Sequence, residues 1–242
     1  MRRVAGVAAR VIAVFCCVRL AGAAHAEMAA GAEQVPHFLF FTGTDLWRFG
    51  AFMHGGALWS PDGVNREGFT LKVLMAGGAY RYLSGTTDIT GKQLLGAVLP
   101  GWRFKQERFE TTVYFGLDLQ NHKFFPDDPL NALRGTHVGA RFAADVWLEP
   151  TEIMMVSTAF SVSTIRSSYW GRAQFGGKIP GLGWVGPEAQ VFSDLAYRQY
   201  SAGLHLTGFK MAEFEWSVGA GYVLDTERRT GPYGRLGLNF RQ

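Results

Sequence analysis

Five histidines, His37, His54, His122, His137 and His205, follow the first 26 residues. None stands in a His-x-His or His-Glu-x-x-His spacing, the patterns that bring two imidazoles to one metal ion. Their expected place is a hydrogen-bond network or a strand end. A serine nucleophile needs a histidine and an acid beside it. Serine is abundant only on the polar face of 153–165 and no Gly-x-Ser-x-Gly occurs, so an outer-membrane lipid-modifying hydrolase is the lesser alternative. The pairs Gly55-Gly56, Gly77-Gly78 and Gly176-Gly177 lack the Lys-Ser or Lys-Thr of a phosphate loop and read as bulges or close backbone approaches. Asp127 and Asp128, between Pro126 and Pro129, offer carboxylates to calcium or a polysaccharide, but read first as a solvated loop. No catalytic set, metal site or cofactor is expected.

A larger polar constellation carries both signs of charge: Lys72, Glu110, Asp118, His137, Arg141, Asp145, Arg172, Glu188, Glu213, Glu215 and Arg235. An ion-selective pore carries rings of one sign, whereas mixed charges pair between strands and fill a narrow lumen. A charge-paired interior is the expectation, and a polar conduit or ligand groove the alternative. Arg141 and Asp145, four apart on one strand face, are expected to pair with neighbouring strands. Tyr80, Tyr82, Tyr114, Trp147, Trp170 and Tyr233 are candidate platforms for a ligand such as a sugar ring, which stacks on aromatic faces. Anchoring at the membrane interface explains the same residue types and is favoured.

What must position these residues is a set of period-two segments. In 109–120, Phe109, Thr111, Val113, Phe115, Leu117 and Leu119 share one face, opposite Glu110, Thr112, Tyr114, Gly116, Asp118 and Gln120. In 136–148, Val138, Phe142 and Val146 oppose His137, Arg141 and Asp145; in 213–225, Trp216, Val218 and Tyr222 oppose Glu215, Ser217 and Gly219. Segments of about 10 to 14 residues exceed the usual soluble strand of about 5 or 6 and suit the oblique crossing of a bilayer. Aromatics near segment ends, Phe109, Trp147, Trp170, Trp184 and Phe240, are expected to form an interfacial girdle.

A bilayer supplies no water to backbone amides, so such a chain must close on itself. The expected fold is all-β, an antiparallel transmembrane β-barrel of about 12 strands, with 10 to 14 allowed. A secreted sandwich or lipocalin-like barrel is the alternative. The segments are 38–47, 51–59, 68–82, 93–104, 109–120, 136–148, 153–165, 169–178, 184–193, 197–208, 213–224 and 232–240. Gly77-Gly78 and Pro100 disturb the early ones, because a strand tolerates proline only at an edge or bulge. Small polar replacements of Gly116 or Ser217 are expected to be mild.

Residues 1–26 read as a cleaved secretory signal: Arg2 and Arg3, an apolar core at 11–18, and Ala24-His25-Ala26. Residues 27–37 form a short N-terminal segment and 38–242 the barrel. The signal holds four arginines and no acid, so the remaining chain carries 20 basic and 20 acidic residues. Neutral charge removes the electrostatic argument for nucleic acid. Cys16 and Cys17 also fall in the signal, leaving neither disulfide nor thiolate site. With 31 glycines, 14% aromatic and 18% charged residues, the chain is richer in glycine and poorer in charge than an average soluble domain.

Several segments in order, TGTDLWR, HGGALWSPDGVNREGF, GGAYRYLSG, YFGLDLQNHKFFPDDP, SSYWGR, GWVGPEAQ and AGYVLDTERRTGPYGRLG, resemble the bacterial cellulose biosynthesis protein BcsS family over most of 42–238. The Trp-x-Gly-Pro-Glu element, Trp184 to Glu188, is the most distinctive. The resemblance implies an outer-membrane barrel accompanying a cellulose synthase system. Implied partners are outer-membrane lipid and cellulose or other components of that system. The end of the chain, alternating up to Phe240, resembles the terminal signal read by outer-membrane assembly machinery. The expected role is a non-enzymatic accessory of cellulose biosynthesis or secretion, with a small general porin as runner-up.

Overall fold

The computed structural model describes residues 35–194 and 197–242. The expected signal lies outside the described residues, as does most of 27–37. Twelve antiparallel strands close into one barrel in sequence order, β1 pairing with both β2 and β12. They are β1 Phe38–Trp47, β2 Gly50–Trp59, β3 Gly68–Ser84, β4 Thr87–Gln106, β5 Phe109–Phe125, β6 Gly135–Thr151, β7 Met154–Ser163, β8 Tyr169–Ile179, β9 Gly183–Asp194, β10 Tyr197–Met211, β11 Phe214–Asp225 and β12 Thr230–Arg241. Because the number is even, both ends of the barrel sequence, Phe38 and Arg241, lie at one rim. Phe38 and Gln242 exchange backbone hydrogen bonds there. This rim is called the near end.

Alternation governs exposure in the inverse sense to a soluble protein. On β5 the apolar Phe115, Leu117 and Leu119 are 64%, 68% and 50% exposed, while Asp118, Gln120 and Tyr114 between them are buried. Val138, Leu204 and Tyr222 are likewise exposed, and Arg141, Glu188, His205 and Arg235 buried. Water-avoiding side chains thus cover the outside, as lipid requires. At the near end the rings of Phe38, Phe40, Phe240 and Phe214 follow one another at centroid separations of 6.0, 6.4 and 5.6 Å. On β11, Val218 lies midway between Phe214 at that belt and exposed Tyr222 above.

The early irregularities are absorbed without loss of a strand. Pro100 lies inside the 20-residue β4, paired with Leu71 on β3, but has no partner on β5, where the ladder resumes at Val98↔Leu117 and Gly101↔Tyr114. Gly116 stands opposite: a Cβ there would strike the Val98 carbonyl and lie 3.1 Å from Pro100 Cδ. The expectation that small replacements of Gly116 are mild is therefore corrected. On β10 a bulge between Thr207 and Phe209 is made by Gly208 at φ 79°. The extra residue turns Phe209 outward and Lys210 inward, a parity change that extends β10 past 208.

Strands β3 to β6 rise farther than expected at the far end, β4 starting at Thr87 and β5 ending at Phe125. Their outer ends pair through polar alternation that the apolar pattern does not register. Connection 126–134 folds Leu133 inward against Ile89, Phe124 and Ile165. Within it Arg134 holds Asp127 with two hydrogen bonds of 2.9 and 3.0 Å, and Asp128 accepts one from the Tyr82 hydroxyl at 2.8 Å.

Candidate functional site: the barrel lumen

Strand register places Glu110, Asp118, His137, Arg141, Asp145, Arg172, Glu188, Glu215 and Arg235 on the inner face. Glu213 is the correction: it lies in the β10–β11 turn at the near rim and is exposed. Its alternation with Glu215 has no strand beneath it.

The charges meet over several distances. Between adjacent strands, Arg141 on β6 donates to Asp118 on β5 at 2.9 Å, and Ser163 on β7, one strand farther, donates to the same Asp118 oxygen. Two strands intervene between Lys72 on β3 and Asp145 on β6, which meet at 2.8 Å with the ammonium 4.8 Å from the Tyr114 ring centroid. Two also separate Glu188 on β9 from Arg235 on β12, at 2.7 Å. Glu188 further accepts from Gln174 and the Tyr233 hydroxyl, both at 2.9 Å. Arg172 on β8 reaches Asp45 on β1 at 3.3 Å, against His54 on the other side of that carboxylate at 3.9 Å. Arg141 thus pairs with the adjacent strand as expected, whereas for Asp145 the expectation is corrected: its partner Lys72 reaches it across two intervening strands, because the long ammonium side chain spans the inner surface over Tyr114. Asp45, and Arg103, which meets Glu110 at 3.4 Å, were missed: the irregular pattern of the first four segments hid their shared face.

All six candidate aromatics face inward, so the girdle reading is corrected for Trp147 and Trp170, and also for Trp184. Trp147 and Trp184 meet edge to face at 6.3 Å, and Arg172 lies 5.1 Å from the Trp170 centroid. Their nearness to strand ends in sequence is shared by lipid-facing rings; what separates the two is the parity each shares within its own strand with Asp145, Arg172 or Glu188. Tyr80 stacks on Phe52 at 6.4 Å and Tyr197 at 5.7 Å, and Phe52 meets Phe192 at 6.3 Å. These rings come from β2, β3, β9 and β10, on opposite sides of a twelve-strand closure, so the stack crosses the lumen. The Tyr80 hydroxyl donates to Asp194 at 3.1 Å within it. Tyr82 continues the stack toward Phe124 at 5.9 Å.

His37 meets the Ser60 carbonyl before β1 at 3.0 Å, and three further histidines are engaged in the lining. His122 Nε2 lies 3.0 Å from Gln120 Oε1, His137 Nε2 3.0 Å from the Leu133 carbonyl, and His205 bridges Thr207 and the Phe175 carbonyl. Below the aromatic stack lies a cavity of about 860 Å³ lined by residues of all twelve strands.

An apolar exterior, closed strand order and polar, packed lumen define an outer-membrane-type β-barrel. The chain belongs to the cellulose biosynthesis protein BcsS family, which it matches over residues 39–242, and is thus a barrel protein associated with cellulose biosynthesis. No curated protein sequence matches it significantly. Among solved structures it is similar to a KdgM porin, at 11% identity and TM-score 0.46, over 84% of this chain and 98% of that one. It is similar to the translocator domain of the autotransporter NalP from Neisseria meningitidis, at 12% identity and TM-score 0.47, over 97% and 98%. The transport unit of the autotransporter AIDA-I from Escherichia coli is similar at 9% identity and TM-score 0.47, over 88% and 92%.

Proposed function

We propose that this protein is a non-enzymatic accessory of cellulose production in the outer membrane, exported by the signal at 1–26, whose barrel is closed rather than conducting. The observation that carries this reading is that the lumen is bridged from wall to wall: Arg172 to Asp45, and Tyr80 to Asp194 at the far end. Barrels of about 8 strands are filled by side chains and those of 16 to 18 leave an aqueous channel; twelve strands with large inward groups fall between. Against a hydrolytic role, the serine nearest an acid, Ser163, shares Asp118 with Arg141, and His122 is turned to Gln120.

Purified protein in planar bilayers is expected to give small or no steady conductance. Deletion of the gene is expected to alter cellulose yield or surface attachment without abolishing polymer synthesis. Large, stable conductance blocked by cello-oligosaccharides would overturn this reading in favour of a glucan pore.

A further inference from the structure

The cavity beneath the aromatic stack reaches from Trp47 and Trp170 near that stack to Asn65, Lys210 and Glu215 toward the near end. Its 860 Å³ falls among sites that enclose small ligands, roughly 300 to 1,000 Å³. One wall is β7, whose inward residues Ser157, Ala159 and Ser161 are all small and line the cavity. Trp147 on β6 stands beside Ser157, and Trp170 on β8 beside Ser161. Two indoles therefore flank opposite ends of a trough about 13 Å long at the rise of a strand.

Polar groups edge the same trough. Asp145, two residues from Trp147 on one face, leaves 42% of its side chain exposed there while Lys72 holds Oδ2. Arg141, 6% exposed, lines the cavity and keeps its Nε without a hydrogen-bond partner among the described residues. Flat aromatic faces with charged donors and acceptors at their edges suit β-linked pyranoses. The C–H faces of such sugars stack on rings, and their equatorial hydroxyls bond in the ring plane. The principal cations of the wall, Lys72, Arg141, Arg172 and Arg235, are each held by a carboxylate. That pairing favours a neutral sugar over a polyanion.

We propose that this cavity binds the end of a neutral β-1,4-linked glucan entering from the near end. The choice of glucan among neutral sugars rests on the role in cellulose production proposed above. Trp147 and Asp145 make the contacts, and the Arg172–Asp45 bridge, with Arg172 also covering the Trp170 ring, and the Tyr80 stack stop the chain from passing through.

The test is titration of the refolded full barrel in detergent with cellohexaose, followed by calorimetry and tryptophan fluorescence. Maltohexaose and an oligogalacturonate serve as comparison ligands. Saturable binding of cellohexaose alone is expected. Trp147→Ala should weaken it roughly tenfold, the scale of a lost aromatic anchor. Ser157→Trp, which fills the trough without removing a wall contact, should abolish it, and Ser157→Ala should leave it unchanged. Heat-modifiable gel mobility verifies that each variant is folded. A bulky maleimide on Asn65→Cys should block binding, and one on Ser84→Cys at the far end should not.

No saturable signal at millimolar cellohexaose, equal affinity for maltohexaose, or full binding by folded Ser157→Trp would overturn the site. So would blockage from Ser84→Cys alone. These outcomes are independent of conductance and of the deletion phenotype, so the site can fail while the accessory reading stands, and the reverse.

Discussion

Glu188 on β9 and Arg235 on β12 meet at 2.7 Å although β10 and β11 lie between them. Glycine makes this reach possible. Gly203 on β10 pairs with Glu188, and Gly219 on β11 pairs with Arg235, so neither charge has a side chain on the strand position beside it. A Cβ at Gly219 would strike Glu188 Oε1 and lie 3.2 Å from Arg235 Nε. The glycines of the polar face thus have a packing role as specific as the charges they separate.

Removal of one partner leaves the other buried and uncompensated, at a cost of about 3 to 5 kcal/mol. Arg235→Ala should therefore lower the heat-modification midpoint sharply. Gly219→Ala should lower it less, in keeping with the about 1 to 3 kcal/mol that overpacking costs. If Gly219→Ala melts like the parent, the glycine is not what lets the pair form.

Val218 is 40% exposed on the outer surface, midway along β11. Arginine there should cost about 2 to 4 kcal/mol near the midplane of the bilayer and reduce assembly into membranes. The same change at exposed Leu224, near the far end, should be milder. Equal assembly of Val218→Arg and parent would contradict the assigned lipid face.

Gly116 faces Pro100 across the gap in the β4–β5 ladder. Gly116→Ser should slow or prevent closure of these two strands, because the added atom meets the Val98 carbonyl of the neighbouring backbone rather than a side chain that can turn away. Pulse-chase folding into lipid vesicles, read by gel mobility, would reveal it.

Tyr80 is 3% exposed and joins Phe52, Tyr197 and Asp194 in the far-end stack. Tyr80→Ala should raise single-channel conductance above the parent's baseline, since it removes both the ring and the hydrogen bond across the lumen. An unchanged baseline in the folded variant would place the closure elsewhere, at the Arg172–Asp45 level.

The amino-acid sequence by itself determined the architecture, because lipid outside and polar groups inside impose a period of two that β5, β6 and β11 obey residue by residue. It also determined the class, through ordered segments such as Trp184 to Glu188 that run the length of the barrel. The inward face of Trp147, Trp170 and Trp184 was legible in the parity each shares with Asp145, Arg172 or Glu188, but a ring near a strand end also suits a membrane interface, and the girdle reading followed that second cue. Tertiary structure alone decided the partners. Lys72 with Asp145, Arg172 with Asp45 and Glu188 with Arg235 are contacts between strands that are not neighbours, the first over Tyr114, the second across the lumen and the third over Gly219. Their distances depend on how the sheet curves and closes, a property of all twelve strands together and of no single segment.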